Sequence, residues 1–317
     1  MTMRIAVLDP VHPVLMEKLV RAGHAPIEMH STQSADVESV LTDVDGIIVR
    51  SKSVPAQLME RAKSLRFVGR VGSGTENIDS SYCLKNNIRV INSPEGNRDG
   101  VGETCVMTLL AMMKFLVRSN AQVHGGLWSR EENRGSELRG KTVGIIGYGQ
   151  MGSAFADKLR GFGVHILAYD KYRSGFERAG VHECGLEQLM RRSDVISLHL
   201  PLNTETHHYA DRDFFLRLGR PVWFLNSSRG GVVHTAALLD AIDHGRVIAA
   251  ALDVLEFERP DLSGLDPAID PATQQRLFGH ERVLLTPHIA GVTHEGKRKM
   301  AAILADKIIE AFPNGTA

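Results

Sequence analysis

The segment Thr142-Val-Gly-Ile-Ile-Gly147-Tyr-Gly149-Gln150-Met151-Gly152-Ser-Ala-Phe-Ala-Asp-Lys158 joins an apolar run to a helical pattern through three glycines spaced Gly-x-Gly-x-x-Gly. A glycine turn between a strand and a helix lets the backbone approach a pyrophosphate, and the helix N-terminus supplies free N–H groups. The motif alone is a weak signal, but here it stands in the strand–turn–helix context that a dinucleotide site requires. We therefore predict dinucleotide contacts from Gly147, Gly149, Gln150, Met151 and Gly152.

The next predicted strand, His165–Tyr169, ends in Asp170, about 20 residues beyond the glycine turn as this type of site requires. An acidic residue at that strand end accepts hydrogen bonds from the adenine ribose and repels the extra phosphate of NADP. The predicted cofactor is therefore NAD. Lys171 and Arg173 follow closely and could instead contact that phosphate, so a preference for NADP is the alternative.

Short β-branched runs alternate with helical patterns along the whole chain, which predicts the α/β class with parallel sheets covered by helices on both faces. The predicted strands are Arg4–Leu8, Gly46–Arg50, Phe67–Val71, Arg89–Ile91, Thr142–Ile146, His165–Tyr169, Val195–His199, Trp223–Asn226 and Ala249–Val254. The run Asp45–Arg50 resembles Asp194–His199, which hints at two similarly wound domains. We expect two doubly wound parallel-sheet domains, the central one a Rossmann NAD-binding domain.

The domain boundary is predicted near Asn97. Residues Val101–Val117 are helical in pattern and largely apolar, too short to span a bilayer, and are expected to form a helix packed between domains. The amphipathic stretch Gly296–Phe312 follows the last strand and is free to pack on the first domain. We expect a discontinuous substrate domain over 1–97 plus 291–317 and an NAD-binding Rossmann domain over 98–290.

Composition excludes several classes of partner. Lys and Arg total 37 and Asp and Glu also total 37, so no net charge attracts nucleic acid or an anionic membrane. The start of the chain lacks the pattern of a signal peptide, and we expect a cytoplasmic protein. Cys83, Cys105 and Cys184 are far apart and suggest neither disulfides nor zinc, and the pair His207-His208 lacks metal-ligand spacing. We expect no bound metal.

Three segments beyond the glycine turn each end a strand of the central domain: Asn226-Ser-Ser-Arg229, Leu252-Asp253-Val-Leu-Glu256-Phe-Glu258 and Leu285-Thr-Pro-His288. Loops at the carboxyl ends of parallel strands form the ligand crevice of such sheets. An arginine can bind a carboxylate and polarise a carbonyl, a histidine can exchange a hydroxyl proton, and a glutamate can orient the imidazole. This combination suits hydride transfer on a 2-hydroxy acid.

Together with the glycine turn, these segments resemble the D-isomer-specific 2-hydroxyacid dehydrogenase family over nearly the whole chain, from Val49 to Thr293. The resemblance implies that Arg229 anchors the substrate, that His288 is the general acid/base and that Glu258 is its partner. It further implies cofactor contacts by Ser227 and Asp253 on the nicotinamide side and by Pro201 and Thr206 along the cleft.

One departure from the family's pattern concerns the catalytic glutamate. The family places proline directly after it, whereas Arg259 separates Glu258 from Pro260 in this sequence. Glu256 is therefore a rival partner for His288. The spacing from Asp253 favours Glu258.

The segment Phe67–Asp79 reads as strand, glycine loop and helix. The resemblance implies that this loop holds the substrate carboxylate through Val71, Gly72 and Ser73, so that function requires both domains, closed on each other. Within the family, three segments resemble the D-3-phosphoglycerate dehydrogenases: Val68–Gly74, Asn92–Asn97 and Gly126–Arg130. This similarity implies 3-phosphoglycerate as the substrate, with Arg50, Ser51, Arg70, Asn97 and Arg130 as further substrate-binding residues.

Other readings remain open at this point. Reductases of glyoxylate, hydroxypyruvate or another D-2-keto acid share the catalytic residues, and an NAD(H)-sensing scaffold such as a transcriptional corepressor shares the fold. The resemblance implies a homodimer in which Val123–Ser136 reaches the neighbouring subunit. Since the sequence ends soon after its last predicted helix, we expect no serine feedback through a C-terminal regulatory domain.

Overall fold

The computed structural model describes residues 2–30, 41–259 and 261–313. The chain divides into two compact units. The first, here the N-terminal unit, comprises Met1–Arg98, Pro260–Ser263 and Val292–Ala317, and the second, the central unit, comprises Asp99–Arg259 and Gly264–Gly291.

The N-terminal unit is built on a five-stranded parallel sheet. Its strands are β1 (Arg4–Val7), β2 (Ala25–Glu28), β3 (Gly46–Val49), β4 (Phe67–Arg70) and β5 (Arg89–Asn92), in the order β2-β1-β3-β4-β5. The sequence did not predict β2, which contains Pro26 and is only partly buried. Proline is tolerated there because β2 lies at the edge of the sheet.

Helices cover this sheet at Val14–Arg21, Ala56–Met59, Ser80–Lys85 and His294–Ala311. The last of these buries Ala301, Leu304, Ala305 and Ile308, spaced as one helical face, in a core shared with β1 and the first helix. Phe312, just beyond the helix, stacks on Phe67 of β4 with ring centroids 5.2 Å apart. The C-terminal helix is thus part of the N-terminal unit.

The central unit is built on a seven-stranded parallel sheet. Its strands are β6 (Thr142–Ile146), β7 (His165–Tyr169), β8 (Val181–Glu183), β9 (Val195–Leu198), β10 (Val222–Asn226), β11 (Val247–Leu252) and β12 (Val283–Leu285). The order is β12-β11-β10-β9-β6-β7-β8, so the winding direction reverses between β6 and β9. Ligands bind at such a switch point, beyond the carboxyl ends of the strands.

Both faces of this sheet are buried. In β10, Val222 and Phe224 belong to one apolar core, whereas Trp223 and Leu225 belong to the core on the opposite face. The covering helices are Arg98–Met113, Leu116–His124, Gln150–Lys158, Leu186–Arg192, Arg212–Leu216, Thr235–Asp243 and Pro271–Phe278. The predicted α/β class with two doubly wound parallel sheets is confirmed.

The helical stretch predicted over Val101–Val117 is interrupted. Phe115 has a left-handed backbone with φ of 52°, and the first helix ends at Met113, whose carbonyl accepts a hydrogen bond from Ser136 N at 2.9 Å. The helix end is thus bonded to a distant segment, a contact that helical periodicity could not reveal.

Among the described residues, no single helix has the length and hydropathy to cross a bilayer. Only Arg98–Met113 and Leu116–His124, taken together across a bend of 61°, pass such a test by length and composition.

Candidate active site

The glycine turn lies at the switch point of the central sheet. Gly147 has a φ of +90°, and a Cβ there would lie 2.4 Å from the carbonyl oxygen of His199 in the loop after β9. A Cβ on Gly152 would lie 2.1 Å from the Gly147 carbonyl oxygen, whereas one on Gly149 would meet no described atom within 4 Å. The first and third glycines therefore permit close packing, and the second leaves open space before the helix that Gln150 and Met151 begin. This cradle fits a pyrophosphate.

Asp170 fastens the glycine turn to the end of the neighbouring strand β7. Its Oδ2 accepts a hydrogen bond from Tyr148 N at 2.8 Å, and its Oδ1 accepts from Tyr172 N and Arg173 N, each at 3.0 Å. A carboxylate offers about four acceptor sites. Asp170 therefore keeps acceptor capacity for a ribose hydroxyl beside the turn.

The two cations after Asp170 both have partners within the central unit. Arg173 Nη1 donates to the Tyr148 carbonyl oxygen at 2.7 Å. Lys171 pairs with Glu205 in the loop after β9.

The structure brings His288 together with Glu258. His288 Nδ1 lies 2.8 Å from Glu258 Oε2, and both side chains are partly buried. Glu258 Oε1 accepts from Leu255 N at 2.7 Å, so one carboxylate oxygen is fixed by the backbone and the other faces the imidazole. Glu258 therefore leaves the imidazole Nε2 uncontacted, and a neutral or charged imidazole nitrogen in this setting can exchange a proton with a ligand.

Glu256, the rival partner, contacts a different histidine. Its Oε1 lies 2.5 Å from His208 Nε2, and its Oε2 accepts from Thr235 N at 2.8 Å. Burial raises the pKa of Glu256, but the hydrogen bonds from Thr235 and His208 outweigh it and hold the pKa below its ordinary value. The His208 ring in turn stacks on His207, with centroids 3.9 Å apart. No set of three or more potential metal ligands occurs in the described parts of the chain.

Asp253 is buried and organises the loop that carries His288. Its carboxylate accepts hydrogen bonds from Thr286 Oγ1 at 2.7 Å, Ile289 N at 2.9 Å and Ala290 N at 2.8 Å. Sequence reasoning assigned Asp253 to the cofactor and missed this role in positioning. The sequence does carry a signal for this role: Asp253 is an acidic residue at the end of a buried strand. The loop after the next strand in the sheet would lie beside it.

Arg229 lies on a loop that packs directly on the Glu258 segment. Asn226 Nδ2 donates to the Arg229 carbonyl oxygen at 2.9 Å, which closes the loop after β10. A Cβ on Gly230 would lie 1.9 Å from the Leu255 carbonyl oxygen, so only glycine permits this approach. The loops that carry Arg229, Glu258 and His288 thus follow the adjacent strands β10, β11 and β12.

The remaining predicted cofactor residues lie on the neighbouring loops of the same edge. Ser227 Oγ lies 3.1 Å from Cys105 Sγ, and burial raises the pKa of that thiol to about 12. Thr206 Oγ1 donates to the Pro201 carbonyl oxygen at 2.5 Å and accepts from Asn203 N at 2.9 Å, which closes a tight turn after β9.

The N-terminal unit carries its own set of predicted residues. The glycine loop after β4 is held by the segment after β5: Gly72 N donates to Ser93 Oγ at 3.2 Å, and Ser73 Oγ donates to Asn97 Oδ1 at 2.8 Å. Val71, at the start of this loop, is buried.

Arg50 and Arg70 stand at the carboxyl ends of the adjacent strands β3 and β4, where Val49 pairs with Arg70. Sequence reasoning missed Asp9, whose buried Oδ2 accepts from the backbone N of Arg50, Ser51 and Lys52 at 2.7, 2.8 and 2.9 Å. Arg130 belongs to the central unit, on an exposed loop.

A glycine turn at the switch point, with a histidine–glutamate pair and an arginine on nearby loops, is typical of dinucleotide-dependent oxidoreductases. The family model for "D-isomer specific 2-hydroxyacid dehydrogenase, NAD binding domain" matches residues 106–290. The chain therefore belongs to the D-isomer specific 2-hydroxyacid dehydrogenase family, whose members are NAD-dependent oxidoreductases. The predicted family and the predicted cofactor, NAD, are confirmed.

The chain is 32% identical over 311 residues to the D-3-phosphoglycerate dehydrogenase of Bacillus subtilis, covering 97% of this chain but 56% of that protein. It is 30% identical over 308 residues to the hydroxypyruvate reductase of Thermotoga maritima, covering 97% of both. The solved D-lactate dehydrogenase of Aquifex aeolicus, complexed with NAD and lactic acid, matches with a TM-score of 0.80 at 26% identity, covering 98% of this chain and 95% of that one. The names of these relatives give different substrates, so similarity alone does not select one 2-hydroxy acid.

Proposed function

We propose that the protein interconverts a D-2-hydroxy acid and its 2-keto acid. The observation that carries this proposal is the contact of 2.8 Å between His288 Nδ1 and Glu258 Oε2, on loops next to the one that bears Arg229. Gly147, Gly149 and Gly152 would hold NAD, which would supply the hydride acceptor for oxidation at C2 of the hydroxy acid and, as NADH, the hydride donor for the reverse reaction.

The chain's own residues supply the proton transfer and the charge in this proposal. His288 Nε2 takes the hydroxyl proton during oxidation and returns it during reduction, because Nδ1 is engaged with Glu258. Arg229 binds the substrate carboxylate and polarises the carbonyl oxygen. Val71, Gly72 and Ser73 are proposed to bind the substrate through backbone N–H groups, as such loops do with anions.

For the substrate, we propose 3-phosphoglycerate, oxidised to 3-phosphohydroxypyruvate in serine biosynthesis. The support is the similarity to named phosphoglycerate dehydrogenases and the placement of Arg50 and Arg70 at the ends of adjacent strands. Arginine binds two phosphate oxygens in a fork. We include Arg130 in this role because its segment resembles the corresponding segment of those enzymes.

Hydroxypyruvate or glyoxylate is the second candidate substrate. The relative named hydroxypyruvate reductase matches over 97% of its length, whereas this chain spans 56% of the first phosphoglycerate dehydrogenase. The test compares kcat/KM for 3-phosphohydroxypyruvate and hydroxypyruvate with NADH. A strong preference for the phosphorylated acid, reduced in R50Q and R70Q mainly through a higher KM, supports the first candidate. Equal values support the second.

We further propose a homodimer formed through the central unit. Five apolar side chains along Leu116–His124 and the loop after it are more than half exposed: Leu116, Val117, Val123, Leu127 and Trp128. Apolar surface of this kind marks interaction sites. Light scattering at micromolar concentration should give the mass of two chains, and W128E should shift the population towards one.

A further inference from the structure

A cavity beside Asp170 is lined by Tyr169–Ser174 and by further residues that include Glu177 and Glu183. Asp170 is the residue expected to accept from the adenine ribose, so this cavity lies where the 2′ position of the ribose would be read. Carboxylates outnumber cations on its walls, although Lys171 and Arg173 both belong to it. Whether those two cations can meet a 2′-phosphate decides between NAD and NADP.

Arg173 is directed at the glycine turn. Its Nη1 donates to the Tyr148 carbonyl oxygen at 2.7 Å, and its backbone N donates to Asp170 Oδ1 at 3.0 Å. Both contacts close the loop after β7 on the turn after β6. Arg173 therefore has a structural partner on this side of the cavity.

Lys171 is paired across the switch point. The Glu205 carboxylate contacts the Lys171 ammonium and also accepts a hydrogen bond from the Tyr172 hydroxyl. Glu205 follows β9, and Lys171 follows β7, on opposite sides of β6. The pair thus joins the two loops that flank the glycine turn.

The position of Glu205 is set by its own turn. Glu205 N donates to Asn203 Oδ1 at 2.9 Å, and Thr206 Oγ1 donates to the Pro201 carbonyl oxygen at 2.5 Å. The carboxylate is therefore presented from a closed turn after β9 to Lys171 and Tyr172, which directly follow Asp170.

We propose that Glu205 is a specificity-determining residue for the cofactor, because it neutralises Lys171 and adds a second carboxylate near the ribose. A 2′-phosphate then meets the charges of Asp170 and Glu205, and the nearest ammonium is already paired. The inference rests on binding of NAD by the family's NAD-binding domain. It does not depend on the proposed substrate or on catalysis.

The test measures Kd for NADH and NADPH by fluorescence titration at low ionic strength. In E205Q, NADPH should bind about 5–10-fold more tightly, with the Kd of NADH changed less than about threefold, because a partly exposed ion pair has a modest effect. K171Q in the E205Q background should remove the gain. Adding 0.5 M salt should shrink it, since screening weakens exposed charges.

E177Q is the matched control. It removes a carboxylate from the wall of the cavity beside Asp170, but Glu177 faces His182 at 3.4 Å instead of a lysine. The proposal is supported if E205Q gains at least threefold in NADPH affinity, if this gain is larger than that of E177Q, and if adding K171Q removes it. Any other pattern overturns the proposed role of Glu205. Because the experiment measures cofactor binding and not turnover, such a result would not bear on the proposed reaction. Thermal melting of each variant checks that the fold is retained.

Discussion

Asp253 fixes the backbone around His288 through hydrogen bonds to the Asp253 carbonyl oxygen and to the Asp253 carboxylate. His288 N donates to the Asp253 carbonyl oxygen at 2.7 Å, while the Asp253 carboxylate accepts from the two residues that follow His288. His288 has a φ of +54°, a left-handed conformation that is unfavourable for a residue with a side chain. Asp253 thereby helps to stabilise a strained loop that places the imidazole beside Glu258.

Replacing Asp253 should therefore damage both stability and turnover. In D253N, a donor faces the backbone N–H groups, and we expect a loss of about 1–3 kcal/mol in the free energy of unfolding, together with a fall in kcat of at least about tenfold. Urea unfolding and steady-state assays measure the two effects.

The control for Asp253 is D194N. Asp194 Oδ2 likewise accepts from a backbone N–H, that of Thr142 at 2.8 Å, but at the amino end of the sheet. D194N should lose stability with kcat nearly intact. If D253N kept normal turnover, a role for Asp253 in positioning His288 would be ruled out.

The two glutamates of the β11 loop should give different phenotypes. E258Q should lower kcat by at least about tenfold and change the pH profile of kcat, because the group opposite His288 Nδ1 loses its charge. E256Q should mainly lower stability. The stabilisation from the Glu256 carboxylate is present above its unfolded-state pKa and is lost as pH falls through its lowered folded pKa. The reverse assignment, with E256Q altering the pH profile and E258Q silent, would make Glu256 the partner.

Acid should destabilise the central unit through His199. Burial lowers the pKa of His199 to about 4 from an ordinary value near 6.5. Between these values the unfolded chain binds a proton that the folded chain excludes, so stability falls as pH decreases through this window. From pH 7.5 to pH 5, this group should cost roughly 2 kcal/mol.

The check is the free energy of unfolding of H199N at the two pH values. Its loss of stability over the range should be smaller than that of the wild type by roughly the same 2 kcal/mol. S197A removes the hydroxyl that lies 2.9 Å from His199 Nε2 but keeps the buried imidazole, so it should retain the wild-type pH dependence. Identical pH dependence in H199N and wild type would show that His199 does not titrate in this way.

The Asp9 carboxylate should stabilise the loop after β3. Its carboxylate accepts three backbone N–H groups, and hydrogen bonds to a charged acceptor contribute about 1.5–3 kcal/mol each in favourable cases. D9N should lower the free energy of unfolding by at least about 2 kcal/mol and raise KM for the acid substrate, with the Kd of NADH unchanged. An unchanged KM in D9N would show that the loop after β3 does not contribute to substrate binding.

Much of this organisation could be predicted because parallel strands buried on both faces are continuous apolar runs. β6, β7 and β10 have that character, and the glycine turn and Asp170 stand at fixed distances from them. The unpredicted strands β2 and β8 lie at sheet edges, are short and have few apolar residues, so periodicity gives them little signal.

Other features depend on contacts between distant segments. At the helix break near Phe115, Ser136 bonds the Met113 carbonyl, and the hydrogen bonds of Asp9 and Asp253 come from loops that follow other strands. The sequence favoured Glu258 over Glu256 by spacing alone, and only the folded arrangement shows which carboxylate faces His288.

The most direct measurement is the rate of NADH oxidation with a 2-keto acid by wild type and H288A, together with the Kd of NADH for both. We predict that the wild type turns over at least one of 3-phosphohydroxypyruvate, hydroxypyruvate and glyoxylate. H288A should lose about 10²–10⁴-fold in kcat, since general acid–base help is worth that much, while its Kd for NADH stays within about threefold. Near-native turnover by H288A, or no turnover of any of these acids by a wild type that binds NADH, would contradict the proposed function.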